Sequence, residues 1–426
     1  MINLRLLTTL LLLSSVNTYA FGFNGGFNAQ PKEMMPAPMK NIFFEEEDEY
    51  PPESEFTKIE TDNSIELPSY LESYEDKNFH SKVTKISDRT VQVGNKHPYP
   101  KQGSAWNSDM SIVRMGYRLY NSETFEELEV TKGSASNAYG NIGSPRHGTG
   151  DVRWSNTDAN TMYVLSSNKR FIAIEIDNNN EKISTKEYLD LSNYEDVSIG
   201  NNEGNLDYQD KYIVLSAKKH NDDNVYALLY RLGDSKITWE KKIPHALWSA
   251  NNSNYFDWIT VDPKAEHILT SVDDKIYLYN MNLQQEQLLA SEANHGDIGI
   301  DQNGNTVYVQ FKFRGEQGIW SYNLNNLNKT KLLASKYNGG HISCRNYKRS
   351  GWCYVNTSEE GYREVFALKL DNGSGTVQRY AQTHIGSQKL SYAQVSVSPD
   401  GKKVLFASDW KIDAKMDTYQ VSYPFK

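Results

Sequence analysis

The sequence of 426 residues is poor in cysteine, with only two, and it has a single short apolar run near its start. No other stretch is long and apolar enough to cross a bilayer, so no membrane span is predicted. The chain also lacks a Gly-x-Ser-x-Gly elbow, a phosphate-binding glycine loop and a His-Glu-x-x-His pair, which argues against serine hydrolases and nucleotide-binding enzymes. No stripe of basic and aromatic residues indicates nucleic-acid binding. Long helical periodicity is missing too, while Tyr, Trp, Gly and Asn are frequent, which is typical of an all-β chain.

Residues 1–20 have the layout of a secretory signal peptide. Arg5 supplies one positive charge, the leucine-rich run Leu6–Leu13 follows, and the segment closes on Thr18–Ala20. A run of this length is too short to span a bilayer, and small residues before the cut suit a signal peptidase. We therefore expect a secreted or periplasmic protein.

Residues 21–80 differ in composition from the rest of the chain. They contain six prolines and show no apolar periodicity. From Glu45 to His80 the net charge is −11, whereas the whole chain carries −9, so the remainder is close to neutral. Such a composition buries too little apolar surface to offset the entropy of ordering. It predicts a disordered acidic leader, and the alternative is an acidic arm that binds a partner.

One pattern recurs seven times, at spacings of about 40 to 54 residues. Each copy is a short apolar strand, a polar turn rich in Asn, Asp, Gly or Pro, and a second apolar strand, which is typical of tight hairpins. Weaker third and fourth strands usually follow. The copies begin at Ala105, Val152, Leu206, Trp258, Ile298, Ile342 and Val395.

Four antiparallel strands per repeat at this period predict a β-propeller. Residues 81–426 are therefore predicted to form one seven-bladed β-propeller, expected to be a monomer. Thr90–Gly94 has strand character and is predicted to pair into the last blade, which closes the ring and removes exposed edges. The alternative fold, an open β-sandwich, does not explain seven matching hairpins.

In a propeller the innermost strand of each blade starts near the central axis on one face, so residues just before each hairpin converge there. Three of the nine histidines fall in that set, which suggests a site, although polar loops could produce this by chance. The converging residues are His147, Asn205, Tyr255, Asp257, His295, Asp297, His341, Tyr392 and Gln394.

The two cysteines, Cys344 and Cys353, flank one hairpin turn. An exported compartment favours a disulfide, and cysteines facing each other across antiparallel strands have suitable separation. The competing hypothesis is a structural zinc site, since His341 lies three residues before Cys344 and His295 starts the neighbouring blade. Two imidazoles and two thiolates form a common tetrahedral zinc set. The sequence leaves both alternatives open.

Arg146 and His147 lie side by side in a loop rich in glycine and serine, just before the second hairpin. An arginine and a histidine near the axis suit an acidic ligand, while a solvated loop is the plain alternative. His97 and His245 lie on loops before the first and fourth hairpins and are weaker candidates.

The stretch from about Gln102 to Trp410 resembles the propeller-fold polysaccharide lyases. The likeness lies in the phrases QGSAWNSDMSIV, DVRWSNTDANTMYV, HGDIGIDQNGNTVYV, GGHISCRNYKRSGWCYV and AQVSVSPDGKKVLFASDW. It is nearest to the ulvan lyases, with oligogalacturonate lyases as more distant relatives, and the last phrase is shared by many TolB-type propellers. The resemblance implies β-elimination at a uronic acid of an acidic, sulfated or unsulfated, polysaccharide, with histidine or tyrosine as proton-transfer groups.

Such a reaction needs a base, an acid and a group that neutralises the uronate carboxylate. We expect His147 as base or acid, Tyr255 as its partner, and Arg146 or Asn205 on the carboxylate, with His245 as the reserve histidine. The alternative function is a non-catalytic, TolB-like envelope propeller that binds a protein or a glycan. The converging histidines favour the enzyme, since a pure scaffold does not need them.

Overall fold

A computed structural model describes residues 58–59, 61–88, 103–116, 118–131, 152–177, 182–249, 253–334, 340–357, 363–386, 393–411 and 416–423. Within these ranges the chain is almost entirely β-structure, with one short 3-10 turn at Glu129–Thr131. The strands form an all-β propeller, as predicted. Among the described residues, no helix has the length and apolar character needed to span a bilayer.

The strands are numbered β1 to β27 in chain order. The first four are β1 (Ser73–Glu75), β2 (Lys82–Lys85), β3 (Ile112–Met115) and β4 (Arg118–Asn121). Blade 1 consists of β5 (Val152–Trp154), β6 (Thr161–Leu165), β7 (Arg170–Asp177) and β8 (Lys182–Asp190). Blade 2 consists of β9 (Asp196–Ser198), β10 (Tyr212–Lys218), β11 (Asn224–Arg231) and β12 (Trp239–Leu247). Blade 3 consists of β13 (Phe256–Val261), β14 (His267–Val272), β15 (Lys275–Asn280) and β16 (Gln287–Ala290).

Three further blades complete the sheets. Blade 4 consists of β17 (Gly296–Ile300), β18 (Thr306–Lys312), β19 (Gly318–Asn323) and β20 (Lys329–Leu333). Blade 5 consists of β21 (Gly340–Ser343), β22 (Trp352–Thr357), β23 (Glu364–Lys369) and β24 (Val377–Gln382). Blade 6 consists of β25 (Ser396–Val397), β26 (Lys403–Ser408) and β27 (Asp417–Ser422), extended by β2 and then β1.

The hairpin turns form where the sequence places Asp, Asn and Gly. In blade 4, the Asp301 carboxylate accepts the backbone N–H groups of Asn303 and Asn305, both at 2.8 Å. Gly304 in the same turn has φ of 80°, a conformation that costs glycine little. Local side-chain bonds of this kind set the register in which the first two strands of a blade pair.

The apolar core lies between the faces of neighbouring blades. One cluster joins blades 4 and 5 and includes Val309, Phe311, Val355 and Phe366, all at most 1 % exposed. Equivalent clusters fill the other inter-blade spaces. Strands in the middle of a blade, such as β6 and β22, are covered on both faces and are buried along almost their whole length, whereas the outer strand β12 exposes charged side chains.

The predicted count of seven four-stranded blades is wrong, because the described residues form six complete blades. The first hairpin, at Ala105, forms a two-stranded sheet of β3 and β4 between blades 6 and 1. On each side of this sheet the flanking chain pairs with it through one isolated antiparallel bridge, Trp106 with Val113 on one side and Tyr120 with Glu127 on the other. Side chains hold the flanking chain here instead of a backbone ladder: the Asn107 amide donates to Ala159 O of blade 1 at 2.9 Å.

The ring is closed by β2, and Thr90–Gly94, the segment predicted to pair into the last blade, lies outside the described residues. Strand β2 pairs antiparallel with β27, from Lys82 opposite Ser422 to Lys85 opposite Tyr419. β1 continues the same sheet, although it falls within the range predicted as leader. Strands from both ends of the described chain thus share one sheet, blade 6.

Residues 61–80 pack against blades 5 and 6. The Asp76 carboxylate accepts the Gln382 N–H at 2.9 Å, and Phe79 is only 6 % exposed. Trp410 donates its indole N–H to Ile65 O at 3.3 Å. The folded body therefore takes in residues before position 81. The predicted signal peptide and residues 21–57 of the predicted leader lie outside the described residues.

Candidate functional site at the propeller axis

The starts of β17 and β21 bring His295 and His341 together, as the converging pattern predicts. Their ring centroids lie 4.4 Å apart, with the planes inclined by 23°, so the imidazoles are stacked. His341 is 3 % exposed, whereas His295 is exposed. The pair lies between neighbouring blades at the inner edge of the propeller.

A backbone contact selects the tautomer of His295. Its Nδ1 lies 2.8 Å from Gly340 O, and a carbonyl oxygen can only accept a hydrogen bond, so Nδ1 carries the proton. In the neutral ring Nε2 then holds the lone pair. Nε2 is therefore the ring nitrogen of His295 that can accept a proton.

A buried ion pair lies just beyond the histidines, between the same two strands. Asp297 follows His295 by two residues, and its carboxylate accepts the Arg345 guanidinium at both oxygens. The same carboxylate accepts the backbone N–H of Cys344 at 2.7 Å and that of Ile298 at 2.8 Å. The coulombic attraction and the hydrogen bonds of Asp297 raise the pKa of Arg345 against the opposing effect of burial. Asp297 is thus a neutralised structural carboxylate.

The two cysteines form a disulfide across the hairpin of blade 5. Cys344 and Cys353 are bonded, with their Cα atoms 4.4 Å apart, and both are buried in the cluster between blades 4 and 5. Gly299 makes room for them, since a Cβ there would lie 2.9 Å from the Cys344 Cβ. The structure thus supports the disulfide alternative, and the zinc set of His295, His341, Cys344 and Cys353 is not confirmed, because a disulfide has no thiolates to offer a metal.

His295 and His341 by themselves would offer a metal ion only two protein ligands. Among the described residues, the pair has no third His, Cys, Asp or Glu ligand atom within 4.8 Å of both. A catalytic metal usually has three protein ligands. Within the part of the chain that the structure describes, this pair is therefore one ligand short of such a site.

A different cluster, Asp262, Glu266 and His267, does bring three such atoms together in the turn of blade 3. Its contacts are those of a hairpin. Asp262 accepts the backbone N–H groups of Lys264 at 3.1 Å and Glu266 at 2.9 Å, and lies 3.0 Å from His267 Nδ1. Asp301 does the same in blade 4, so this cluster is explained by turn structure.

One end of the axis is covered by the long turn of blade 5, residues 345–351. Tyr208 of blade 2 donates its hydroxyl to Cys344 O at 3.0 Å, and its ring lies 5.5 Å from that of Tyr347. Lys348 reaches Ser108 O at 2.5 Å, and its N–H donates to Pro399 O at 2.9 Å. Blades 5 and 2 face each other across the ring, so this turn crosses the axis. This turn begins four residues after His341, and a strand advances by about 3.3 Å per residue. The histidines therefore lie toward the opposite end of the propeller axis from the turn.

Asn205 lies in a small pocket of a different character. The pocket is lined mainly by polar and aromatic side chains, namely Ser104, Trp106, Arg153, Trp154, Ser155, Asn156, Asn205, Arg345 and Tyr347. Arg153 is 2 % exposed and donates to the carbonyls of Gly204, Val152 and Asn202 at 2.6–2.9 Å. Arg153 is not predicted from the sequence as a neighbour of Asn205, although an arginine inside the apolar strand Val-Arg-Trp is a signal of a buried basic residue. This guanidinium is committed to the backbone.

The other predicted residues are dispersed. Tyr255 immediately precedes β13 and is 43 % exposed, and its backbone N–H donates to the Asp273 carboxylate at 2.9 Å. His245 is exposed on β12, the outermost strand of blade 2, with φ of 59°. His245 is thus away from the inner edge where His295 and His341 lie. Arg146 and His147 lie outside the described residues.

Buried tyrosines near the axis are not bases. Tyr308 in β18 is 1 % exposed, and burial raises its pKa well above the usual value, with further contributions from Glu203, Asp257 and Asp297. Its hydroxyl donates to Asn294 O at 3.3 Å. This phenol therefore stays protonated at neutral pH.

Comparison with known proteins supports the fold. No known family matches the chain, and no curated protein matches it. Among solved structures, it is similar to an oligogalacturonate lyase in complex with manganese, at 14% identity and TM-score 0.58, covering 84% of this chain and 97% of that one. It is also similar to an oligogalacturonate lyase from Vibrio parahaemolyticus, at 12% identity and TM-score 0.55, covering 83% and 97%. At such identities the likeness shows a shared propeller fold.

Proposed function

We propose that this protein is an exported lyase that cleaves an acidic, uronate-containing polysaccharide, of which an ulvan-type polymer is one candidate, by β-elimination. The observation that supports it most directly is the stacked pair His295 and His341, with the protonated Nδ1 of His295 held by Gly340 O. The shared fold with oligogalacturonate lyases is consistent with this proposal.

The chemistry follows from the position of the lone pair. His295 Nε2 removes the proton beside the uronate carboxylate, the electron pair forms the new carbon–carbon double bond, and the bond to the leaving glycosidic oxygen breaks. A second group returns a proton to that oxygen. Stacking on the buried His341 restricts the His295 ring, which lowers the entropic cost of reaching the reactive geometry.

Three further roles remain proposals. Exposed Tyr255, at the start of the neighbouring blade, is the candidate proton donor to the leaving oxygen. Arg146 is the candidate for binding the carboxylate, and His147 is a second candidate proton-transfer group. Asn205 shares its pocket with Arg345 and Tyr347 of the blade 5 turn, at the end of the axis away from the histidines, so it has no role at this site. His245 has no role in this proposal.

The test is ultraviolet absorbance of unsaturated uronate after mixing the protein with a panel of acidic polysaccharides. His295→Ala should lower the elimination rate by about 10²–10⁴-fold, the usual contribution of a proton-transfer group. The matched control is His220→Ala, at an exposed turn of blade 2, which should keep the wild-type rate.

Two outcomes would contradict the proposal. Full activity of His295→Ala would remove this residue from the mechanism and shift attention to His147. No product from any polymer in the panel would favour the non-catalytic, TolB-like envelope propeller.

A further inference from the structure

The strands that carry the two histidines belong to different sheets. β17 lies in blade 4 and β21 in blade 5, so no backbone ladder joins them. Backbone hydrogen bonds, from Gly351 N–H to Ile300 O at 2.8 Å and from Gln302 N–H to Leu370 O at 3.2 Å, join the two blades at the turn end of β17. At the histidine end, the stacking distance of 4.4 Å between His295 and His341 depends on side-chain contacts across the inter-blade space. A small rotation of one blade against the other would separate the rings.

Asp297 is the side chain that spans this space. It projects from β17 and binds two consecutive residues at the end of β21, the Cys344 N–H at 2.7 Å and the Arg345 Nε at 3.0 Å. The Ile298 N–H, at 2.8 Å, fixes the carboxylate to its own strand. Its side chain is only 2 % exposed, so water does not compete for these bonds.

Sequence spacing links this bridge to the histidines. His295 precedes Asp297 by two residues and His341 precedes Cys344 by three, so the ion pair and the imidazole pair connect the same two strands at successive levels. The bond from His295 Nδ1 to Gly340 O, 2.8 Å, is the third cross-connection. The disulfide of Cys344 ties the far end of the bridge to β22.

We propose that Asp297 is a positioning residue, whose bridge to Cys344 and Arg345 holds blades 4 and 5 in the alignment that stacks His295 on His341. Asp297 does not itself touch the substrate. The positioning role rests on the proposed function for its catalytic consequence, but the stacking that it maintains can be measured separately.

The chain offers a matched control for the loss of a buried ion pair. Glu364 and Arg379 form two hydrogen bonds, both at 2.7 Å, and their side chains are 2 % and 1 % exposed. Both residues lie within blade 5, on β23 and β24, so their pair joins strands that already share a ladder. Glu364→Gln should therefore disturb stability without moving blade 4 relative to blade 5.

The experiment compares Asp297→Asn, the double variant Asp297→Leu with Arg345→Met, and Glu364→Gln. The double variant is included because Asp297→Asn leaves a buried unpaired guanidinium and can fail to fold, whereas apolar replacement of a whole buried pair is often tolerated. Circular dichroism confirms folding. Histidine-labelled protein is then examined by NMR, with the two signals assigned from His295→Gln and His341→Gln.

In the wild type, stacking should give both imidazoles upfield ring-current shifts, and the His295 Nδ1 proton should exchange slowly with water. Both signatures should be lost in the folded Asp297 variants and kept in Glu364→Gln. With an active substrate, kcat should fall by about 10²-fold in the Asp297 variants, as for a small misplacement of a reacting group, while KM changes little.

The results separate the two proposals. Stacked, slowly exchanging histidines in a folded Asp297 variant would overturn the positioning role, whatever the activity. Suppose that the folded Asp297 variants lose both NMR signatures and that the wild type cleaves no polysaccharide. This result would support the positioning role and refute the lyase proposal.

Discussion

Acidification should destabilise this propeller through His384. The side chain is 3 % exposed, lies against Trp410 with ring centroids 4.3 Å apart, and meets Tyr74 edge-on at 6.1 Å. Its Nε2 has no hydrogen-bond partner among the described residues. Burial, and then the charge of Lys411, lowers the pKa of His384 from 6.5 to about 4, against a smaller opposing effect of Asp62.

The sign follows from proton linkage. The folded state holds this imidazole neutral, so its stability is fully present above pH 6.5 and is lost as the pH falls from 6.5 toward 4. With these two pKa values, the free energy of unfolding should drop by about 2 kcal/mol between pH 8 and pH 5, and by about 3 kcal/mol in the limit below pH 4. Asp76 acts in the opposite sense. Burial raises the pKa of its carboxyl group, so its contribution to the free energy of unfolding becomes more favourable as the pH falls.

The assay is urea denaturation at a series of pH values for the wild type and His384→Phe. The variant keeps an aromatic ring against Trp410 but cannot take up a proton, so its stability should lack this component of the decline. Absolute stabilities can differ, and the difference in slope between pH 8 and pH 5 is the measured quantity. Parallel curves for the two proteins would refute the reasoning and show that His384 is solvated or hydrogen-bonded in solution.

Two further predictions concern the covalent and terminal connections. Replacing both Cys344 and Cys353 by Ala should lower the free energy of unfolding by about 2–3 kcal/mol, the loop-closure contribution expected for a separation of 9 residues. Equal stability with and without reductant in the wild type would contradict it. Trimming the chain to Lys82 should lower the melting temperature, because it removes β1 and the buried Phe79, whose burial contributes about 1.5–3 kcal/mol. A chain that begins at residue 58 should retain the full melting temperature. A lower melting temperature of that chain would mean that residues before position 58 also stabilise the propeller.

The sequence alone determined the repeating unit and its consequence for the axis. The hairpins predicted at Trp258, Ile298 and Ile342 coincide with the first two strands of blades 3, 4 and 5. Hairpin formation is local: turn residues and alternating apolar positions act over about ten residues, so they can be read directly. The same logic placed His295 and His341 at the inner edge of adjacent blades, where they stack.

Contacts between distant segments were decided only by the tertiary structure. The ring closes through β2, and the sequence did not single out this strand, because any strand-forming segment near the chain start satisfies the local pattern and packing against blades 5 and 6 makes the choice. Whether Cys344 and Cys353 form a disulfide or bind zinc depends on which side chains surround their sulfur atoms. Gly299, in a different blade, leaves the space that the disulfide occupies. The pairing of Asp297 with Arg345 spans 48 positions, and no local pattern specifies a partner that far along the chain. Sequence periodicity thus sets the strands, while the fit of one blade against the next sets the site.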